Sequence, residues 1–270
     1  MLNTNFSPWP SFTNEEADAV KNVLLSNKVN YWTGSICREF EKDFSHWCNV
    51  KFSIALANGT LALDSAFKAI NIKSGDEVIV TSRTYIASVS SIVNAGAKPI
   101  FADVDLESQN INPISIRNSI TKNTKAIVCV HLAGWPCEMD EIMEIANEYN
   151  LFVIEDCSQA HGALYKEKPV GSIGHIGCWS FCQDKIISTG GEGGMVTTNS
   201  ESLWQKMWSY KDHGKNYKLA HQRSLSNVFR FIHESFGTNW RMTEIQACLL
   251  YTSDAADDLL CVDLGGRRII

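Results

Sequence analysis

From about residue 50 onward the chain alternates short apolar, β-rich runs with longer amphipathic stretches. The runs FSIALA (52–57), EVIVTS (77–82), KPIFADV (98–104), AIVCVH, FVIED (152–156), GCWSFC (177–182) and MVTT (195–198) have strand length and β-branched or aromatic enrichment. Between them, TLALDSAFKAI, YIASVSSIVNAG, PISIRNSI and EMDEIMEIANEYN place apolar residues at helical spacing. This alternation predicts an α/β domain whose mostly parallel, seven-stranded sheet is covered by helices on both faces. In such sheets ligands sit beyond the carboxyl ends of the strands, so residues just after each strand hold the functional information. The first 50 residues differ in character. There SFTNEEADAVKNVLLSN predicts a helix with Thr13 as its N-cap and acidic residues in its first turn, followed by a loop at NYWTG.

Composition narrows the function classes. The 24 basic and 30 acidic residues leave a net charge of −6 with no Lys/Arg run, which argues against a nucleic-acid partner. The apolar stretches are strand-sized, too short for a membrane span, and MLNTNFSPWPS lacks the pattern of a secretory signal. A cytoplasmic location is the expectation. Nine cysteines, an odd number set mostly within apolar runs, suit a reducing compartment. No Cys/His ligand spacing appears, so no metal is expected.

Four strand ends hold candidate chemistry. Asn58-Gly59-Thr60 follows the first strand and opens a helix, so it is either an ordinary turn or an anion site made of free backbone N–H groups. Asp156 ends FVIED, with Glu155 beside it and Gln159 three residues on; it could hold a cationic ring nitrogen or a metal, or cap the next helix. Ser180 and Lys185 lie at and beyond GCWSFC, just before the glycine-rich GGEGG (190–194). Tyr85 follows EVIVTSRT. No GxGxxG follows a strand, and neither GxxxxGK[ST] nor a GxSxG elbow is present, which disfavours nucleotide-dependent and α/β-hydrolase chemistry. A pyridoxal-phosphate (PLP) site requires a lysine, an acid for the ring nitrogen, an anion site for the phosphate and an aromatic face, and each has a candidate here.

The stretches NYWTG, ALANGTLAL, GDEVIVTSRTYIAS, PIFADVD, VHLAGWP, IEDCSQAHGA, WSFCQDK, GGEGGMVTT and GTNWRMTEIQA together resemble the DegT/DnrJ/EryC1/StrS family of PLP-dependent sugar aminotransferases, from about residue 7 to 247. The resemblance implies the fold-type I architecture, with a smaller C-terminal domain, in a homodimer with shared active sites. By it, Lys185 matches the Schiff-base lysine and Asp156 the pyridinium partner. Ser180, Gly59 and Thr60 match phosphate ligands, Gln159 the side chain near the cofactor hydroxyl, and Tyr85 the stacking aromatic. Asn239 matches the residue that reaches the neighbouring subunit's cofactor phosphate. Lys185, where dehydrating relatives have His, favours transamination, with glutamate as donor and a nucleotide-linked keto-sugar as acceptor. Another fold-type I reaction, as a lyase or a transaminase on a non-sugar substrate, and a non-catalytic PLP-binding sensor remain alternatives. His131 and His161 are expected to be structural more often than pocket-lining. Trp32-Thr33-Gly34 could border the sugar, and Trp135, Trp179 and Trp240 read as core or interface aromatics.

After Ala247 the resemblance stops. The segment CLLYTSDAADDLLCVDLGGRRII (248–270) resembles the in-frame translation of a sequencing adapter. The expectation is therefore three parts: an N-terminal helix and loop segment (1–50), a PLP-binding large domain (51–247), and a non-native tail (248–270) in place of the small domain. On that expectation the chain as written has little activity and the tail does not pack on the core.

Overall fold

The structure, a computed structural model, describes residues 9–221 and 233–255, with side chains as far as Leu250. In chain order the elements are α1 (Asn14–Leu25), α2 (Ile36–Trp47), β1 (Phe52–Leu56), α3 (Gly59–Ala69), β2 (Glu77–Thr81), α4 (Ala87–Asn94), β3 (Lys98–Ala102), α5 (Pro113–Ser119) and β4 (Thr124–Val130). They continue with α6 (Met139–Tyr149), β5 (Phe152–Asp156), the two-residue strands β6 (Leu164–Tyr165) and β7 (Lys168–Pro169), β8 (Ile176–Ser180), β9 (Gly194–Thr198), α7 (Glu201–Lys211), α8 (Tyr217–His221) and α9 (Glu244–Ala255). Every strand expected from the apolar runs is present, most of them a residue or two shorter.

Seven strands form one sheet in the order β1-β9-β8-β5-β4-β2-β3. Pairing from β8 across to β3 is parallel, while β9 runs antiparallel to both β8 and β1. Side chains alternate across a strand, so each apolar run feeds two cores. Ala126, Val128 and Val130 of β4 face the core shared with α2, α3 and α7, whereas Ile127 and Cys129 face the core built with α6. That double burial explains why these strands read as continuous apolar runs.

Local rules account for the N-terminal helices. Thr13 Oγ accepts the Glu16 N–H (3.2 Å) and the Glu16 carboxylate accepts the Thr13 N–H (2.6 Å), which closes a capping box on α1. Helix α2 was not among the expected elements, although Cys37, Phe40 and Phe44 recur at helical spacing and are buried. Because they enter the main core, residues 36–47 are structurally continuous with the large domain. The expected boundary at 247/248 coincides with no break either: α9 runs across it, and Cys248 and Leu250 are buried. Residues 256–270 of the expected tail lie outside the described residues. Among the described residues, no helix is long and apolar enough to cross a membrane.

One buried charge organises the sheet's carboxyl edge. Glu155, fully buried, accepts hydrogen bonds from the N–H groups of Gly171 (2.8 Å), Ile173 (2.9 Å) and Gly174 (2.6 Å). It also accepts from His131 Nε2 (3.0 Å), whose Nδ1 accepts the Cys137 N–H (3.1 Å) and so fixes the tautomer. Removing the carboxylate leaves these donors buried and unpaired. Glu155→Ala is expected to cost about 3–5 kcal/mol of folding stability, read from denaturant unfolding, with Glu155→Gln milder.

Candidate active site

Because β1 runs in the same direction as β5 and β8, the residues after β1, β2, β5 and β8 meet at one edge of the sheet. A cleft of about 630 Å³ opens there, lined by Gly59, Thr60, Tyr85, Asp156, Gln159, Ser180 and Lys185. The spacing along the chain gave no such proximity; strand direction supplies it.

At the end of β1, Asn58 caps α3 by accepting the Leu61 N–H (2.9 Å). The amides of Gly59 and Thr60, in the first turn, have no acceptor within the helix and lie at its positive end. Gly59 is required by packing: a Cβ there would sit 2.6 Å from Ser180 Cβ. Its bare backbone lets the helix start and the Ser180 hydroxyl stand side by side, which is a cradle for an anion.

Asp156 ends β5 on the face opposite Glu155 and is 6% exposed. Its Oδ1 accepts the Ser158 N–H (3.2 Å) and its Oδ2 accepts the Ser88 hydroxyl (2.7 Å). Ser88, fully buried on α4, also shares a hydrogen bond with Thr84 Oγ (2.8 Å). Gln159 Oε1 accepts the Ala133 N–H (2.8 Å), leaving its amide N–H groups for the cleft. Tyr85 stands at the wall with 73% of its surface exposed, so no protein group covers its ring among the described residues.

Lys185 lies on the loop joining β8 to β9. Its Nζ donates to Asp184 Oδ2 (2.8 Å), and this bond holds the Asp184 carboxyl below its ordinary range. The Trp9 indole N–H donates to the Lys185 carbonyl (3.1 Å) and fastens the loop from outside. Asp184, Glu192 and Ser88 were not anticipated. Asp184 is adjacent in sequence to Lys185, and Ser88 follows Tyr85 by one helical turn, but neither spacing marks chemistry without the fold.

Other expected residues fall elsewhere. Asn239 pairs with Asp212 in an isolated bridge and is exposed away from the cleft. The Trp32 indole donates to Asp212 (3.1 Å), and Gly34 packs on the Glu244 side chain. Trp179 is core, whereas Trp135 is 64% exposed, at the rim of a separate groove that also includes Arg83 and Asn110. His131 serves the Glu155 network. Together with Cys157 these two bring donor atoms within 4.8 Å, but the His131 nitrogens and both Glu155 oxygens already have protein partners.

The fold is the PLP-dependent transferase fold type I. The sequence pattern of the DegT/DnrJ/EryC1/StrS aminotransferase family matches residues 10–253, and the chain belongs to that family. It is 42% identical over 252 residues to a GDP-perosamine synthase of Escherichia coli O157:H7, covering 93% of this chain and 66% of that protein. It superposes with a TM-score of 0.90 on an aminotransferase from Psychrobacter cryohalolentis, at 64% identity over 92% of this chain and 63% of that one. A putative sugar aminotransferase from Streptococcus pneumoniae, solved in its PLP form, matches with a TM-score of 0.79 at 26% identity, over 93% and 66% of the two chains. The chain therefore spans just under two thirds of the length of the relatives it matches.

His161 packs between Trp179 and Phe181 (ring centroids 5.4 and 5.6 Å), and neither ring nitrogen has a hydrogen-bond partner among the described residues. Burial, reinforced by the positive charge of Lys185, pushes its pKa down to about 3. As pH falls through about 6.5 the unfolded chain takes up this proton and the folded chain does not. Stability is thus expected to fall from about pH 6.5 towards 3. His161→Phe should flatten that loss, measured as denaturant midpoints at about pH 7 and about pH 5.

Proposed function

We propose that the cleft holds PLP and that the protein moves an amino group from an amino acid, glutamate by family resemblance, to a ketone on a nucleotide-linked sugar. The observation that carries this reading is convergence: Lys185, Asp156, Tyr85 and the Gly59–Ser180 cradle line a single cleft. The donor set fits the cofactor. The Gly59 and Thr60 amides and Ser180 Oγ would hold its phosphate, Gln159 its hydroxyl, Tyr85 one face of its ring, and Asp156 the proton on its ring nitrogen. When bound, PLP supplies a ring that accepts negative charge from a carbon losing its proton.

The chain's own residues do the rest. The Lys185 amine, released from Asp184, would anchor the cofactor and serve as general base and acid in each half of the reaction, taking a proton from the donor's α-carbon in the first and delivering one to the acceptor's carbon in the second. Asp156 keeps the ring nitrogen charged, which favours that proton transfer. Asn239, exposed and outside this cleft, suits the family arrangement in which it reaches the partner's site in a homodimer. A biosynthetic role in aminosugar formation, in the cytoplasm, accords with the family.

An absorbance spectrum of the protein with PLP, before and after glutamate, tests the reading, followed by mass spectrometry with candidate keto-sugar nucleotides. Lys185→Ala is expected to abolish the bound cofactor's characteristic absorbance and turnover while the fold persists. Asp156→Asn is expected to lower the rate by roughly 100-fold, equivalent to losing a charged hydrogen bond of about 3 kcal/mol. Undiminished turnover in Lys185→Ala would refute the mechanism.

A further inference from the structure

Asp156 does not stand alone behind the cleft. The Ser88 hydroxyl carries one proton, and it is spent on Asp156 Oδ2 (2.7 Å). The 2.8 Å bond between Ser88 and Thr84 must then run the other way, with the Thr84 hydroxyl donating to Ser88 Oγ. The result is a one-way chain, Thr84 to Ser88 to Asp156. Ser88 is fully buried, so no water competes for its proton, and Asp156 is nearly so.

Both carboxylate oxygens of Asp156 are tied: Oδ2 by Ser88 and Oδ1 by the Ser158 N–H. Turning the carboxylate about its Cβ–Cγ bond breaks both bonds, so the direction of its remaining lone pairs is set. The same chain shapes the neighbouring wall. Thr84 and Ser88 flank Tyr85 in the chain, and their bond spans the segment that carries Tyr85 into α4. The carboxylate and the aromatic that line the cleft are thus held by one hydrogen-bonded unit.

We infer that Ser88, backed by Thr84, is a positioning residue that aims the Asp156 carboxylate at the cofactor's ring nitrogen and fixes the Tyr85 turn beside it. This rests on the reading of the cleft as a PLP site. The probe is PLP itself, added to the full chain, with its dissociation constant taken from absorbance titration and its environment from the circular dichroism of the bound cofactor's band. Ser88→Ala is expected to weaken PLP about tenfold or more and to alter that band, since a hydrogen bond to a charged group is lost. Ser88→Thr, which keeps the hydroxyl, should restore binding to within about threefold. In an Asp156→Ala background, Ser88→Ala should add nothing further, because its effect passes through that carboxylate.

Wild-type binding by Ser88→Ala, or an equal loss in the Asp156→Ala background, would overturn the inference. If Ser88→Ala does not fold, Thr84→Val decides: it keeps the Ser88–Asp156 bond but removes its backing, and a loss of about two- to threefold is expected against none if the chain is idle. The two levels separate cleanly. Weakened binding in Asp156→Ala with none in Ser88→Ala sinks the relay alone. No PLP binding by the unaltered chain, or none lost in Asp156→Ala, sinks the cleft reading and the relay with it.

Discussion

The Glu155 carboxylate, buried without solvent and satisfied by four protein donors, ties the end of β4 through His131 and the turn before β8 through three backbone amides. A charge in that position is tolerated only because every donor is aimed at it, and those donors are fixed only because the charge is there. The next residue in the strand, Asp156, projects to the opposite face, where the cleft lies. Its location therefore inherits the precision of the Glu155 network: of two consecutive acids, one is held inside the scaffold and the other faces the cleft. The sheet's parallel order does the remaining alignment, because it brings the ends of β1, β2, β5 and β8 to one edge.

Around that edge, positive and negative groups face the cleft from different sides. The start of α3, with its unpaired amides, faces the cleft from one side and Asp156 from another. Between them Lys185 is held by Asp184 rather than by Asp156. The separation leaves the free edges of the Asp156 carboxylate unpaired with the nearby amine. His161 beneath the loop stays neutral and adds no charge to this balance.

Strand positions and the residues after them were legible because double burial writes apolar runs and because strand ends in open sheets are where ligands sit. Gly59, Thr60, Tyr85, Asp156, Gln159, Ser180 and Lys185 were found that way and all line the cleft. What escaped had a different origin. Helix α2 hides its periodicity among charged residues, and only the burial of Cys37, Phe40 and Phe44 shows which face counts. Ser88 looks like any small polar residue in a helix until α4 lies against β5. Trp32 and Gly34 turn out to contact Asp212 and Glu244, partners far along the chain that the local sequence did not mark. The boundary expected at residue 247 rested on sequence resemblance, and α9 runs across that point.

Lys185 sits on the loop that joins two adjacent antiparallel strands, the one place in this sheet where consecutive strands are direct neighbours running in opposite directions. Backbone bonds from Phe181 to Gly193, Gln183 to Gly191 and Thr189 back to Phe181 zip the base of that loop. Its two ends are thus joined locally by backbone bonds. A substitution at its tip therefore leaves the backbone bonds that close the loop, and the strand order of the sheet, in place.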